Sequence, residues 1–364
     1  MSQRERERSR VRERLERLAG AGLDPEQARY AAIEALRPAV GFERWCWPLT
    51  DPGSGLSTSG IGELDFWPSL PRLVALEEHG DVTTKPGLVV GRRASVSLSA
   101  ATDGDLPRSP RWRECLHPYG IGDELMTVCR DRHGCWGSVE LMRDGGDAAF
   151  DADDVQLLHE LAPALGTLLR RSLLRSPPAD SVEAGPLAPA TLILDGELRP
   201  SSWTPTFHDW LAELPVAREL LPTAVYEIGA RVLTPSEAAT GLPASVRVRT
   251  SRGRWAVIEG APLEGADPGR IAITVRAATG EEVFDLLCKT HDLTLRERQL
   301  VALVLDGLAT RQLAQALCIS PYTVQDHLKA IFAKTGVRSR RELISHLAGR
   351  LGPLGAGDAA VAPA

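Results

Sequence analysis

The sequence predicts an α+β protein of several domains, two of mixed helix and strand followed by one built only from helices. Three observations lead there. The 364 residues are 43% hydrophobic and 25% charged, which suits a globular protein of two or three domains. Strand-like and helix-like periodicities alternate up to about residue 278, and the strand pattern then stops. Charge is also unevenly spread: the net is −6, yet residues 286–350 carry ten Lys/Arg against five Asp/Glu. A basic module on an acidic body is an electrostatic footprint for phosphate binding.

The first block covers residues 1–175. Its Arg/Glu-rich start alternates in sign, which fits a solvated helix or a dimer-forming arm, with Val11, Leu15 and Leu18 on one face. A second helix runs from Leu23 to Val40, with Pro25 in its first turn. RWCWPL (44–49) and ASVSLS (94–99) are strand-like. DELMTVCRD (123–131) and CWGSVELMR (135–143) read as two strands joined by a turn holding His133-Gly134. Val155, Leu158, Leu161, Leu165 and Leu168 then mark a helix over Asp153–Leu174. A charged leading helix, a central sheet and a closing helix resemble a GAF sensor domain in order and pattern. The asparagine–lysine–phenylalanine–aspartate–glutamate signature of cyclic-nucleotide-binding members is absent.

Ser176 to Pro189 is rich in Pro, Ala and Gly and reads as a linker. The second block, 190–279, opens with strand, Asp195-Gly196 turn and strand, followed by a helical stretch over Thr206–Leu214. Strand-like runs at 244–250, 254–263 and 269–278 complete it. That order resembles a PAS domain. Residues 280–290 form a connecting helix, 291–351 the helical domain, and 352–364 a disordered tail.

The helical domain is marked by helix caps. Thr294 and Glu297 form a capping box, Thr310 caps a second helix, and Ser320 with Pro321 opens a third. Gly307 and Gly336 stand at helix ends, Cys318-Ile319 makes a turn, and Ser339 with Glu342 forms a second box. At ~100° per residue, Val324, Leu328 and Ile331 share one face of the third helix. Tyr322, Gln325, Asp326 and Lys329 lie opposite. One face packs and the other presents hydrogen-bonding groups, as a helix-turn-helix requires.

Those residues closely resemble the LuxR/FixJ-type helix-turn-helix, through Leu293-Thr294, Glu297, Gly307, Leu313-Ala314, Ile319-Ser320, Thr323-Val324, His327, Ile331, Lys334, Gly336-Val337 and Arg340. The resemblance implies a transcriptional regulator that binds double-stranded DNA. It turns Gln325, Asp326 and Lys329 toward base edges and places Thr323, Lys334 and Arg338 near phosphates, with Ser320, Tyr322 and Arg340 completing the candidate surface. Gln325 departs from the Lys or Arg often found there, and Gln favours adenine. The resemblance also implies a homodimer on an inverted repeat, paired through Leu343, Ile344 and Leu347, with RNA polymerase a further partner.

No apolar run approaches the ~18–20 residues that span a bilayer, and the start lacks a signal-peptide core, so a cytoplasmic protein without membrane contact is expected. Cys46, Cys115, Cys129, Cys135, Cys288 and Cys318 lack metal or disulfide-framework spacing and are expected to be reduced, and His117, His133 and His159 lack ligand spacing; no metal or cofactor is expected. Nucleophile-elbow, P-loop, zinc-protease, kinase and phosphoacceptor patterns are missing, which argues against an enzyme. Trp45, Trp47, Trp67, Trp112 and Trp136 either line a small-molecule pocket, with Glu124, Arg130 and His133 adding polarity, or pack the core. Trp203, Phe207, Trp210 and Trp255 read as core of the second block. Two functions follow: a regulator that senses a small-molecule or protein signal, transmitted through the helices at 153–174 and 281–289, or an adaptor whose first two blocks are scaffolds.

Overall fold

The structure, a computed structural model, describes residues 3–63, 67–175, 187–215, 221–234, 239–265 and 269–351. It divides into two compact units. Most of the expected linker and all of the expected tail lie outside the described residues, as do the side chains of Trp67 and Leu351.

In the first unit, α1 (Gln3–Gly20) and α2 (Pro25–Val40) lead into β1 (Arg44–Thr50) and β2 (Ser57–Gly62). There follow α3 (Leu70–Glu78), α4 (Lys85–Val90), β3 (Ser95–Ser97), α5 (Leu98–Ala101), β4 (Ile121–Asp131), β5 (Gly134–Asp144) and α6 (Ala152–Ser172). The β4–β5 hairpin turns at Arg132-His133, as its Gly134 suggested. The expected strand 94–99 is shorter: Ser97 caps α5 by accepting from the Ala100 amide, so the chain coils after three strand residues.

The second block contributes β6 (Ala190–Leu194), β7 (Pro200–Trp203), α7 (Phe207–Leu211), α8 (Thr223–Leu233), β8 (Ser245–Arg249), β9 (Trp255–Pro262) and β10 (Ile271–Ala277). The two antiparallel sheets run β2-β1-β5-β4-β3 and β7-β6-β10-β9-β8. Both therefore follow one order: second, first, fifth, fourth and third strand.

Helix α6 covers one face of the first sheet, and α1 and α2 pack against α6. Leu158, Leu161, Leu165 and Leu168 are buried under α6 as its periodicity required, and Val155 is half-buried. Gly166 permits the close crossing, because a Cβ there would stand 2.7 Å from the Arg130 backbone carbon. The Arg/Glu-rich α1 is a packed element, with Val11 and Leu15 buried and Arg8 paired to Asp153 at 3.3 Å.

The two blocks are folded together rather than strung apart. Leu56 and Val74 of the first join the core of the second, beside Val225, Ile228 and Val248. Three buried ion pairs cross the seam. Lys85 Nζ lies 2.8 Å from Glu227 Oε1, Arg231 makes a two-pronged pair with Glu78 at 2.8 and 2.9 Å, and Arg247 clasps Asp51 at 2.7 and 2.6 Å. Glu227 also accepts from the Ser57 amide and hydroxyl.

The second unit is helical: α9 (Gly280–Thr290), α10 (Leu295–Leu305), α11 (Thr310–Ala316), α12 (Pro321–Thr335) and α13 (Arg340–Leu351). The connecting helix α9 belongs to this domain's core, through Val283, Leu287 and Cys288. Among the described residues, no helix is long and apolar enough to cross a membrane.

Candidate nucleic-acid interface

The presentation of α12 starts with its caps. Ser320 Oγ accepts from the Thr323 amide at 3.1 Å and shares a 2.9 Å hydrogen bond with the Thr323 hydroxyl. Pro321 fills the first turn, where an amide would lack a helical partner. Gly336 closes the helix in the left-handed region at φ 72°. The turn from α11 carries Cys318 at φ 53°, a conformation that costs a residue with a Cβ.

The two faces of α12 are sharply divided. Val324, Leu328 and Ile331 are buried in the core formed with Leu300, Val304, Leu313 and Ala314. Tyr322, Gln325, Asp326 and Lys329 are exposed, Tyr322 to 85%. Gln325 can hydrogen-bond an adenine edge in two places, Lys329 can donate to guanine, and Asp326 can accept from cytosine. Lys329 Nζ rests 3.1 Å from Asp326 Oδ1, both side chains about three-quarters exposed. So open a pair has little hold on either group. Further basic groups, Arg311, Arg338 and Arg341, are exposed nearby in sequence.

Other candidate residues serve the fold. Lys334 Nζ lies 2.6 Å from the buried Glu297 carboxylate. Arg340 donates to the Leu308 carbonyl. Both side chains thus have partners inside the domain, a use that a phosphate-contact reading misses. Thr310 is the first residue of α11 rather than its cap; Gln312 closes that end by accepting from the Ala309 amide at 2.7 Å. Glu342 reaches back to the Arg338 amide at 2.8 Å, one residue beyond an ordinary box, while Ser339 caps its own.

The expected dimerisation stripe is corrected in part. Leu343 and Leu347 are 0% and 1% exposed and belong to the domain core, because α13 folds back onto α9 and α10. Ile344 is half-buried against the same core. The stripe is therefore taken up within this domain.

In the first unit the tryptophans separate. Trp45, Trp47 and Trp136 are fully buried, Trp45 edge-on to Tyr30 of α2. Trp112 borders a depression with His117, Ile121 and Asp147. None of the four lines the cavity at the seam, whose β1 residues are instead Cys46 and Pro48. Strand alternation explains this: Trp45 and Trp47 share one face, and Cys46 and Pro48 share the other. Glu124 does line that cavity, whereas Arg130 donates to the carbonyls of Leu88, Val89 and Gly91. Phe207 and Trp210 are buried in the second core, and Trp203 is half exposed. Burial pushes the Cys129 and Cys135 thiols above their ordinary range, which makes them poor nucleophiles.

Residues 291–347 match the luxR family of bacterial regulatory proteins, the GerE domain. A putative HTH-type transcriptional regulator of Mycobacterium bovis is 44% identical over 61 residues, which are 17% of this chain and 7% of that protein. The transcriptional regulatory protein DesR of Bacillus subtilis is 30% identical over 95 residues, 24% of this chain and 48% of that one. The chain thus spans less than half the length of these relatives. Among solved structures, a Vibrio cholera VqmA–ligand–DNA complex is 22% identical, covering 30% of this chain and 57% of that one, with a TM-score of 0.17. Escherichia coli SdiA is 10% identical over 90% of each chain, with a TM-score of 0.28.

Proposed function

We propose that the chain is a sequence-specific DNA-binding transcriptional regulator that docks α12 in the major groove. Gln325, Asp326 and Lys329 read base edges; Arg338 and the Ser320–Thr323 end of α12 hold phosphates. The observation that carries this is the division of α12: its apolar stripe is buried, and its opposite face is an open row of donors and acceptors. The luxR-family match over 291–347 supports it.

Residues 1–279 are the sensory part in this reading. The shared strand order supports two related modules, GAF-like and PAS-like, and the buried seam supports one responsive unit rather than two tethered ones. A two-fold pair on an inverted repeat fits a short recognition helix that meets few base pairs by itself. With Leu343 and Leu347 committed to the core, that pairing falls to Ile344 and its exposed neighbours Arg341 and Ser345.

Selection from random-sequence DNA by the purified full-length protein, followed by gel shifts across a salt series, tests the proposal. The expected result is one enriched motif, bound ~10³-fold or more above random DNA, with affinity that falls as salt rises. Failure to enrich any motif without an added partner protein would favour the adaptor reading.

A further inference from the structure

At the seam of the first unit lies a cavity of about 210 Å³. Ile61, Leu70, Leu73, Val74 and Met142 from the first block and Val248 from the second wall it with apolar groups. Its polar lining is unusual in sign. Glu77, Glu124, Glu140 and Glu227 all reach it, with Lys85 as the cation among them. All five residues are buried, none more than 5% exposed.

The cations present do not balance these carboxylates. Lys85 is held by Glu227 at 2.8 Å and lies 3.5 Å from Glu77. Arg111, behind Glu124, is shared between Glu124 at 2.9 Å and Asp81 at 3.1 Å. Five acids thus surround two cations. Among the described residues, Glu140 has a single side-chain hydrogen bond, 3.3 Å from the Ser138 hydroxyl, and no cation within ion-pair distance. An uncompensated carboxylate in such a place is expensive, and either a proton or an incoming cation relieves it.

We propose that this cavity binds a small organic cation, an apolar body carrying a protonated amine or amidine, with its charged nitrogen between Glu140 and Glu77. Lys85 is already committed to carboxylates, so an anionic ligand has no cation to meet. Among the described residues, no three His, Cys, Asp or Glu side chains are grouped to hold a metal ion. The volume is below the ~300–1,000 Å³ of drug-sized sites, which fits a ligand of metabolite size. Glu140 of β5 and Glu77 of α3 come from the first block and Val248 and Glu227 from the second, so an occupant touches both blocks. As a binding site this stands without the DNA-binding reading; as the signal of a regulator it rests on that reading.

The test is calorimetric titration of the full-length protein without DNA, using 2-phenylethylamine and agmatine as probes. Their counterparts are 2-phenylethanol, 3-phenylpropionate and magnesium chloride. Saturable binding of an amine, with the neutral, anionic and metal probes silent, is the expected result. Glu140→Gln should weaken it roughly hundredfold, as loss of a buried charge partner would. Ala224→Leu, which fills the cavity and removes no charge, should abolish it, while the exposed Glu114→Gln should leave it unchanged. Equal binding of phenylethanol, undiminished amine binding in both Glu140→Gln and Ala224→Leu, or no heat from either amine would overturn the proposal. Because no DNA is present, these outcomes are independent of whether an operator exists.

Discussion

Lys334 Nζ stands 2.6 Å from Glu297 Oε2, and the same carboxylate oxygen accepts the Thr294 amide at 2.7 Å. One buried side chain therefore ties the end of α12 to the start of α10. Burial alone would raise the Glu297 pKa, but Lys334 and Thr294 outweigh it and hold it below the ordinary carboxylate range. A lowered folded-state pKa gives stability that is present above the unfolded value and lost as pH falls through the folded one. Lys334→Ala should cost the C-terminal domain about 1–3 kcal/mol at neutral pH, by denaturant titration. Glu297→Gln should remove part of the stability lost below about pH 4. Weakened DNA binding by Lys334→Ala would thus include a folding effect.

Cys318 occupies the left-handed region at φ 53° in the turn between α11 and α12, and it is exposed. Cys318→Gly relieves a cost of about 1 kcal/mol there without removing a packed group. A higher melting temperature of the C-terminal domain with unchanged operator affinity is expected. A lower one would show that the thiol contributes more than the backbone loses.

The seam pair Lys85–Glu227 should behave unlike a surface pair. Glu227→Ala leaves Lys85 buried with Glu77 at 3.5 Å and orphans the Ser57 amide and hydroxyl, a loss of about 3–5 kcal/mol in urea unfolding. Arg72→Ala breaks a pair whose side chains are 56% and 40% exposed, and should cost less than about 1 kcal/mol.

The acid-rich cavity also sets a pH dependence. Desolvation, then neighbouring acids, pushes Glu124 up to about 7 against the pull of Arg111. Desolvation and Glu77 likewise push Glu140 well above its ordinary value, against Lys85 and Arg111. Between the ordinary carboxylate range and these raised values the folded state holds more protons than the unfolded one, so stability falls as pH rises. Melting of the first unit should therefore shift upward from pH 8 to pH 5.5, and Glu140→Gln should flatten that shift. A wild-type melting temperature that drops over the same interval would contradict it.

What the sequence revealed depended on how local the signal was. Thr294–Glu297, Ser320–Pro321 and Gly336 act within a few residues of themselves, so the four helices and the open face of α12 were legible. Alternation over 44–49 identified β1 but drew attention to Trp45 and Trp47, although Cys46 and Pro48 face the cavity. Glu124 and Glu140 sit in strands where an acid ordinarily marks the solvent face, and their burial follows from α3, α4 and α8 covering that face. Those three helices carry weak sequence signals: α3 and α4 are short, and α8 has no side-chain cap at its start. Glu77, Glu140 and Glu227 are far apart in the chain and meet only through tertiary packing.

The most direct test of the role given to α12 is a titration of the full-length protein against its selected operator and the set of single-base variants. Wild type would be compared with Lys329→Ala and Gln325→Ala, both exposed positions whose loss leaves the core intact. Lys329→Ala should weaken operator binding by ~1–3 kcal/mol, and Gln325→Ala should erase discrimination at one base position while sparing the others. Unchanged affinity and unchanged base preference in both variants would contradict the assignment of this helix face to DNA.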